Sequence, residues 1–178
     1  MAVSVLHWLE TSDHRLMRRV NRWTPPRWMR LWMVAATRGG DGWLWYAMGT
    51  VVLLEGGPAR FRAVLAAVLA VAVGIALFLQ LKRACHRRRP CALEPHCWAT
   101  LLPPDQFSFP SGHTITAFSV ATVFAERYRT HRWVPWVAYG LAGVVGLSRL
   151  NAQAHFPSDI FLGAALGYSI SHFAVLRR

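Results

Sequence analysis

The stretch AVLAAVLAVAVGIALFLQL, at residues 63–81, contains 19 consecutive residues without a charged side chain. A helix needs about 20 predominantly apolar residues to cross a hydrocarbon core about 30 Å thick. A run of this length is difficult to bury inside a soluble domain of 178 residues. We therefore predict that the segment is a transmembrane helix and that the protein is integral to a membrane.

Apolar, charge-poor stretches recur on both sides of this run. Together with it they predict five membrane spans, at residues 42–55, 63–82, 111–127, 133–149 and 158–176. A sixth crossing that includes Trp28–Thr37 stays open, so the predicted fold class is all-α, a polytopic bundle of about five to six transmembrane helices. Short loops indicate one compact transmembrane domain, residues 42–178, preceded by a separate segment, residues 1–41.

The N-terminal segment carries a pattern of its own, with apolar residues at helical spacing and arginines between them. The apolar residues are Leu6, Leu9, Leu16, Val20 and Trp23, and the arginines are Arg15, Arg18, Arg19 and Arg22. An amphipathic helix of this kind can lie in the membrane interface, with its apolar face towards lipid and its arginines near anionic headgroups. A helix that packs on the bundle explains the pattern equally well, and both interpretations stay open.

The whole chain combines an apolar composition with strong positive charge. Hydrophobic residues make up 54% of it, the mean hydropathy is +0.26, and the formal net charge is +12. A disordered basic tail lacks this apolar content, and a soluble nucleic-acid-binding domain lacks uncharged runs of membrane length. The predicted partner is therefore a lipid bilayer and not a nucleic acid, and the oligomeric state stays open.

Three polar motifs interrupt the apolar runs. The first, KRACHRRRP at residues 82–90, opens the longest loop and places five cations in eight positions. The second, PSGH at residues 110–113, stands where a helix should begin. There Ser111 can cap the helix, and the N–H groups of the first turn can bind an anion beside the imidazole.

The third motif, SRLNAQAHFPSD at residues 148–159, joins the last two predicted spans. It brings Arg149, His155 and Asp159 to the ends of two helices. An aspartate that accepts a hydrogen bond from one ring nitrogen fixes the tautomer and raises the basicity of the other nitrogen. Because the spans alternate in direction, the three motifs are predicted to share one face of the membrane.

In order and spacing, these motifs resemble the signature of the type 2 phosphatidic acid phosphatases. The matching residues are Lys82 with Arg89-Pro90, Pro110 to His113, and Ser148-Arg149 with His155 and Asp159. The resemblance covers the chain from about residue 42 to its C-terminus. It is specific for the superfamily, which also includes soluble vanadium haloperoxidases and glucose-6-phosphatases, and much less specific for the substrate.

The resemblance implies a role for each matching residue. His155 would attack phosphorus to form a phosphohistidine, Asp159 would orient His155, and His113 would protonate the leaving oxygen. The groups expected to bind the substrate phosphate are Lys82, Arg89, Ser111, Gly112 and Arg149. Three cations and two neutral donors suit a phosphate group that carries close to two negative charges. Further negative charge develops on its leaving oxygen in the transition state.

The sequence argues against a metal centre. Two-metal phosphatases need several carboxylates or imidazoles around ions about 3.5–4 Å apart. On the catalytic side the chain offers only Glu94, Asp105 and Asp159, so we predict hydrolysis without a metal or another cofactor. A zinc site in the cluster Cys85, His86, Cys91, His96 and Cys97 is disfavoured because it lacks a C-x-x-C pair, and a Cys91–Cys97 disulfide is favoured instead.

Arginines outside the motifs predict the orientation. If the motifs face outward, the opposite loops and the C-terminal tail hold seven arginines, as the positive-inside rule requires: Arg60, Arg62, Arg127, Arg129, Arg132, Arg177 and Arg178. We predict a multi-pass protein of a bacterial inner membrane, with its active site facing the periplasm or outer face. The arginines of residues 1–41 do not follow the rule.

A membrane-embedded site favours a lipid phosphate monoester or diphosphate over a soluble sugar phosphate. Undecaprenyl diphosphate, phosphatidylglycerophosphate and phosphatidic acid are the candidates among proteins that this chain resembles. Apolar loop residues either guide the lipid or seal the loop onto the bundle; they are Trp98, Leu101, Leu102, Phe107 and Phe109.

Three other functions are alternatives to the lipid phosphatase. A lipid phosphotransferase with the same site is the nearest alternative. A vanadium-haloperoxidase-like oxidase is disfavoured by the apolar span. A non-catalytic lipid-binding protein is disfavoured because binding alone would not need His113, His155 and Asp159.

Overall fold

The computed structural model describes residues 2–55, 57–58, 60–93 and 105–176. Every regular element in these ranges is a helix, which confirms the all-α prediction; the one extended pairing there is an isolated bridge between Arg88 and Phe107. The helices are α1 (Ala2–Arg22), α2 (Arg27–Arg38), α3 (Leu44–Glu55), α4 (Arg60–Cys85), α5 (Pro90–Leu93), α6 (Gly112–Arg127), α7 (Val134–Asn151) and α8 (Pro157–Leu176), and a π-helical turn (Gly39–Trp43) joins α2 to α3.

Helix α6 is the centre of the bundle, with α4, α7 and α8 packed around it. Ten of its 16 residues are buried, as expected for a helix whose apolar and small residues lie on all sides. The main core combines residues of α3, α6 and α7: Trp45, Val52, Ala117, Val120, Ala121, Phe124, Ala138, Ala142 and Val145.

Two glycines let α8 approach α6 closely. A Cβ atom at Gly167 would lie 2.4 Å from the carbonyl oxygen of Ile115, and one at Gly163 would lie 2.9 Å from that of Ser111. Small residues at a helix interface permit such a close approach of two backbones. The first turns of both helices consequently lie side by side, where the Ser111 N–H donates to the Asp159 carbonyl at 3.2 Å.

The predicted spans at 63–82, 111–127, 133–149 and 158–176 correspond to α4, α6, α7 and α8. Within the described residues, α4 is the one helix that is long and apolar enough by itself to cross a membrane. The span predicted at 42–55 corresponds to α3, whose 12 residues reach only about 18 Å at 1.5 Å per residue.

Helix α2 contains Trp28–Thr37, the segment of the open sixth crossing. It also has 12 residues, and it is joined to α3 through a kink at Gly42, whose φ of 128° favours glycine. Near the C-terminal end of α2, the Thr37 carbonyl accepts a hydrogen bond from Arg149 at 3.0 Å. Helix α2 therefore ends beside the last turn of α7.

Helix α1 has three distinct faces at 100° per residue. One face packs on the protein through Asp13 and Met17, which are buried, and Asn21. A second face is apolar and exposed and includes Leu9 and Leu16. A third face is exposed and cationic and includes Arg15, Arg18, Arg19 and Arg22. The helix therefore packs on the bundle, as one of the two interpretations requires, and its position in a membrane interface stays a prediction.

The loops at the far end of the bundle also meet. The Tyr128 hydroxyl after α6 donates to the Glu55 carboxylate at the end of α3 at 2.6 Å. The Arg60 guanidinium at the start of α4 donates to the Leu53 carbonyl at 3.3 Å. The loops predicted to lie opposite the three motifs therefore share one end of the bundle.

Candidate active site

The three motifs meet at the other end of the bundle, where α4 and α7 end and α6 and α8 begin. A cavity of about 1100 Å³ opens there. Six of the eight predicted site residues line it: Lys82, Arg89, Gly112, His113, Arg149 and His155. The other two, Ser111 and Asp159, are fully buried behind the cavity.

Two of the predicted phosphate-binding cations share one carboxylate. The Lys82 ammonium donates to Asp105 Oδ2 at 2.6 Å, and Arg89 Nη2 donates to Asp105 Oδ1 at 2.8 Å. Arg89 Nε also donates to the Asp105 carbonyl at 2.9 Å. Both cations are buried whereas the Asp105 side chain is 41% exposed, so Asp105 is the exchangeable member of this cluster.

His155 is held at both ring nitrogens. Its Nδ1 lies 2.6 Å from the Ser108 carbonyl, and its Nε2 lies 3.2 Å from Arg89 Nη1. A carbonyl can only accept, so Nδ1 carries the proton and Nε2 carries the lone pair. The nitrogen left unprotonated is therefore the one beside the cationic part of the cavity.

Asp159 does not make the predicted direct hydrogen bond to His155. Its Oδ2 lies 3.8 Å from Nδ1, which is too long for a hydrogen bond, because the Ser108 carbonyl occupies that position. Asp159 instead accepts from the Phe156 N–H at 2.8 Å and from Arg87 Nη1 at 2.7 Å. It holds the backbone next to His155 and acts on the imidazole through its charge.

On the other side of the cavity, Asp41 joins His113 and Arg149. Its Oδ1 lies 2.8 Å from His113 Nε2 and 2.7 Å from Arg149 Nη2. The π-helical turn and the kink at Gly42 carry Asp41 to this position. Lys82 and Arg89 on one side of the cavity and Arg149 on the other thus each have an aspartate as counter-ion.

Ser111 caps α6, as its sequence position predicts. Its Oγ accepts from the Thr114 N–H at 3.4 Å and from the Thr114 hydroxyl at 2.8 Å. Gly112 rather than Ser111 lines the cavity, and a Cβ at Gly112 would meet the Phe78 ring at 3.1 Å. The predicted phosphate contact of Ser111 would have to be made from behind the first turn of α6.

Charges shift the pKa values of the groups that lie in loops around the site. Burial raises the pKa of Asp105, but the hydrogen bonds and charges of Lys82 and Arg89 outweigh burial and lower it below its usual value. The pKa of Asp41 is lowered in the same way, because Arg149 and His113 outweigh burial.

For His155, burial lowers the pKa, and the positive charge of Arg89 adds to this effect. A buried imidazole beside a guanidinium is disfavoured as a cation. The lowered pKa therefore favours the neutral form of the imidazole.

Sequence reasoning missed the roles of five residues: Asp13, Asp41, Arg87, Asp105 and Ser108. In the sequence, Arg87 stands out only as part of the cationic run, and Asp105 only as a weak candidate for a metal ligand. No local pattern marks Asp13 or Asp41, because their partners lie far away in the sequence. A charged residue in an otherwise apolar or glycine-rich stretch is the one signal that could have found Asp41.

The residues considered for a metal site and for a disulfide are only partly described. Within the described ranges, no three His, Cys, Asp or Glu side chains are grouped so that they could hold a metal ion. Cys97, His96 and Glu94 lie outside those ranges, so the Cys91–Cys97 pairing stays a prediction.

The apolar loop residues are partly described. Trp98, Leu101 and Leu102 also lie outside the described ranges. Phe107 packs edge-on against His86, with ring centroids 4.9 Å apart, and does not line the cavity. For Phe107 this contact favours the interpretation that the loop is sealed onto the bundle.

The cavity continues from the charged end as an apolar cleft between α3 and α4. Along α4 its walls extend from Lys82 to Val64, a rise of about 27 Å at 1.5 Å per residue. Small and apolar side chains form these walls: Gly49, Thr50, Leu53, Ala67, Val68, Val71, Ala72 and Ile75. The site therefore joins a cationic pocket to an apolar groove of nearly membrane thickness.

Comparison with known proteins gives a consistent result. The model of the PAP2 superfamily matches residues 63–177. The chain is 32% identical over 145 residues to the decaprenylphosphoryl-5-phosphoribose phosphatase of Mycobacterium tuberculosis, a match to 78% of this chain and 76% of that protein. It is 43% identical over 61 residues to the lipid A 1-phosphatase of Porphyromonas gingivalis, a match to 34% of this chain and only 14% of that protein.

The fold has a solved counterpart. The crystal structure of Aquifex aeolicus LpxE superposes with a TM-score of 0.76 at 27% sequence identity, covering 92% of this chain and 94% of that one.

Proposed function

This chain belongs to the PAP2 superfamily and is a membrane lipid phosphatase of that type, and we propose that it hydrolyses a lipid phosphate monoester or diphosphate through a phosphohistidine intermediate. The observation that carries the proposal is the junction of the cationic pocket with the apolar cleft. A lipid phosphate has the matching parts, since its phosphate is anionic and its chain is apolar.

The proposed reaction begins at His155. Its Nδ1–H is fixed on the Ser108 carbonyl, so Nε2 carries the lone pair. That lone pair accepts from Arg89 Nη1 at 3.2 Å, and it attacks phosphorus when the Arg89 guanidinium turns its N–H groups to the substrate oxygens. The new P–N bond forms as the bond from phosphorus to the leaving oxygen breaks, and His113 donates a proton to that oxygen. His113 then takes a proton from the attacking water, the P–N bond breaks, and phosphate leaves with His155 neutral again.

The cations around the cavity supply the electrostatic part of the reaction. Lys82 and Arg89 lie beside His155, and Arg149 lies beside His113. Fixed positive charges of this kind stabilise the oxygens of the transition state without reorganisation. The carboxylate oxygens of Asp105 and Asp41 mark the positions on these cations where substrate oxygens would bind.

The same cations support hydrolysis without a metal ion. A divalent metal in a phosphatase neutralises charge on phosphate oxygens and activates water. In the proposed scheme Lys82, Arg89 and Arg149 neutralise the charge, and His113 activates the water.

The cleft supports a lipid with a long chain. Its walls follow α4 for about 27 Å, which would accommodate an isoprenoid or acyl chain in line with the membrane. Relatives of the chain act on lipid A and on a decaprenyl-linked phosphate. The names of these relatives support a lipid phosphate as the substrate class. Within that class the substrates to compare are those expected from the sequence, namely undecaprenyl diphosphate, phosphatidylglycerophosphate and phosphatidic acid.

We propose that α4, α6, α7 and α8 cross the membrane, that α3 makes a fifth crossing together with the π-helical turn Gly39–Trp43 before it, and that α1 lies in the interface on the side of the active site. The exposed apolar and cationic faces of α1 suit that position. The proposed transmembrane domain is 42–178, with 1–41 as an added N-terminal segment; the family match begins at residue 63. In this arrangement the active site faces the outer side of a bacterial inner membrane, and a C-terminal reporter found outside the cell would contradict it.

The decisive experiment measures phosphate release by the purified protein in detergent with EDTA. The substrates are undecaprenyl diphosphate, phosphatidylglycerophosphate, phosphatidic acid and a soluble phosphate ester. We expect a much higher kcat/KM for one lipid than for the soluble ester, and loss of turnover in His155→Ala. His131→Ala, an exposed histidine at the far end of the bundle, is the matched control and should keep full activity.

The alternative functions give different results in the same assay. A phosphotransferase would consume the donor lipid and release phosphate poorly until a second lipid acceptor is added. Unchanged phosphate release in His155→Ala would refute the phosphohistidine mechanism. No release from any of the four substrates would refute the proposed function itself.

A further inference from the structure

A stripe on one face of helix α1, formed by Asp13, Met17 and Asn21, packs towards the active site. Asp13 is 3% exposed and Met17 is 2% exposed. With Asn21 they recur every four residues and so lie on one face. Asn21 accepts a hydrogen bond from Gln153, just before His155. This stripe fixes α1 against the segment that carries the nucleophile.

Asp13 is the charged member of the stripe, and all its described contacts are with distant residues. It accepts from Arg87 Nη2 at 2.6 Å and from the Ser158 N–H at 3.1 Å, and it also accepts from the Ser158 hydroxyl. The other nitrogen, Arg87 Nη1, donates to Asp159 Oδ1 at 2.7 Å. One guanidinium therefore bridges the carboxylates of Asp13 and Asp159.

Arg87 also reaches the other side of His155 through its backbone. The Arg87 carbonyl accepts from the Ser108 N–H at 2.8 Å. The Ser108 carbonyl in turn accepts the Nδ1–H of His155 at 2.6 Å. Both supports of the imidazole, the Ser108 carbonyl and the Asp159 carboxylate, thus depend on the position of Arg87.

We propose that Asp13 is a positioning residue for the nucleophile His155 and acts through Arg87. The inference rests on the proposed phosphohistidine mechanism. Asp13 holds the Arg87 guanidinium from the side opposite Asp159, so that Arg87 cannot turn away from the site. Helix α1 is in this way part of the active-site framework as well as a surface helix.

Charge gives Asp13 a second effect on His155. The imidazole faces Arg89 and Lys82 on the cavity side and Asp159 on the other side, with Arg87 and Asp13 behind Asp159. Without Asp13, the positive charge of Arg87 would be balanced by Asp159 alone. The field at His155 would become more positive, and a positive field disfavours the cationic imidazole and the positive charge that develops on attack.

The test compares Asp13→Asn, which keeps the shape but removes the charge, with Asp13→Ala, Arg87→Lys and the double variant Asp13→Asn/Arg87→Lys. Glu10→Gln, an exposed carboxylate on the same helix, is the matched control. We measure kcat and KM on the best lipid substrate, the pH dependence of kcat/KM, and thermal unfolding in the same detergent.

For Asp13→Asn we expect kcat to fall by about tenfold, as for the loss of about 1.4 kcal/mol of transition-state stabilisation, with KM changed less than twofold. The acid limb of the pH profile should move to lower pH. Because both residues act on His155 in series, the double variant should be little slower than Arg87→Lys alone. Glu10→Gln should match the wild type.

Two results would overturn the inference. One is a kcat of Asp13→Asn within twofold of the wild type with an unshifted pH profile. The other is a rise in KM alone, which would place Asp13 in substrate binding. If Asp13→Ala does not fold, Asp13→Asn decides. An inactive wild-type protein would instead refute the proposed function, so the two failures are distinguishable.

Discussion

The close contact of α6 and α8 gives a prediction that depends on the tertiary structure. An alanine Cβ at position 167 would lie 2.4 Å from the Ile115 carbonyl oxygen and 3.0 Å from the Ser119 nitrogen. Both neighbours are backbone atoms and cannot rotate away. To restore even a 3.0 Å contact, the helices must separate locally by at least about 0.6 Å.

Gly140→Ala is the matched control for Gly167→Ala. A Cβ at Gly140, in the middle of α7, would meet nothing within 4 Å. Both substitutions gain about 1 kcal/mol of helix propensity, so the difference between them isolates the steric cost. Overpacking of this kind costs typically about 1–3 kcal/mol.

We therefore expect Gly167→Ala to be about 1–3 kcal/mol less stable than Gly140→Ala. For a chain of this size, 1 kcal/mol corresponds to a Tm change of roughly 2–4 °C. Thermal unfolding in detergent measures the difference. Because His113 is on α6 and Asp159 is on α8, kcat of Gly167→Ala should also fall. A Tm equal to or above that of Gly140→Ala would refute the described packing of the two helices.

Three further predictions concern the site. The pKa of His155 is lowered from 6.5, so the imidazole stays neutral and able to attack as the pH falls through 6.5. The acid limb of kcat/KM should therefore lie below pH 6.5 once substrate ionisation is subtracted. A limb at or above pH 6.5 would contradict this prediction. Dialysis against EDTA should leave phosphate release unchanged, because three cations already neutralise the phosphate, and a loss restored by Mg²⁺ would refute metal independence. Asp105→Asn should free Lys82 and Arg89 for the anion and lower the Ki of vanadate by about two- to fivefold. That factor corresponds to the loss of a solvent-exposed ion pair worth roughly 0.5–1 kcal/mol. An unchanged or higher Ki would show that Asp105 does not compete with the anion.

Much of the fold followed from local patterns. The uncharged run at 63–81 predicted α4, and the charge-poor stretches after it predicted α6, α7 and α8. These predictions succeeded because hydrophobic length and helix capping are properties of neighbouring residues. The first span was less predictable, because the chain there is a helix bent at Gly42, and the backbone conformation of a glycine is not fixed by its neighbours.

The candidate site also has a part that the sequence predicts and a part that it does not. The motif residues Lys82, Arg89, His113, Arg149 and His155 were predicted, and the structure brings them to one cavity. The prediction of a direct hydrogen bond from His155 to Asp159 was wrong, because the Ser108 carbonyl, which lies in a different loop, accepts the Nδ1–H instead.

An apolar helical membrane protein with three polar motifs could be predicted from the sequence, because each motif lies within about a dozen neighbouring residues. Which groups surround those motifs depends on the packing of the helices. Asp41 meets His113 across 72 positions, and Asp13 meets Ser158 across 145. Contacts between residues so far apart depend on how the helices pack, here on the glycines between α6 and α8 and on the buried stripe of α1, and no local pattern encodes that arrangement.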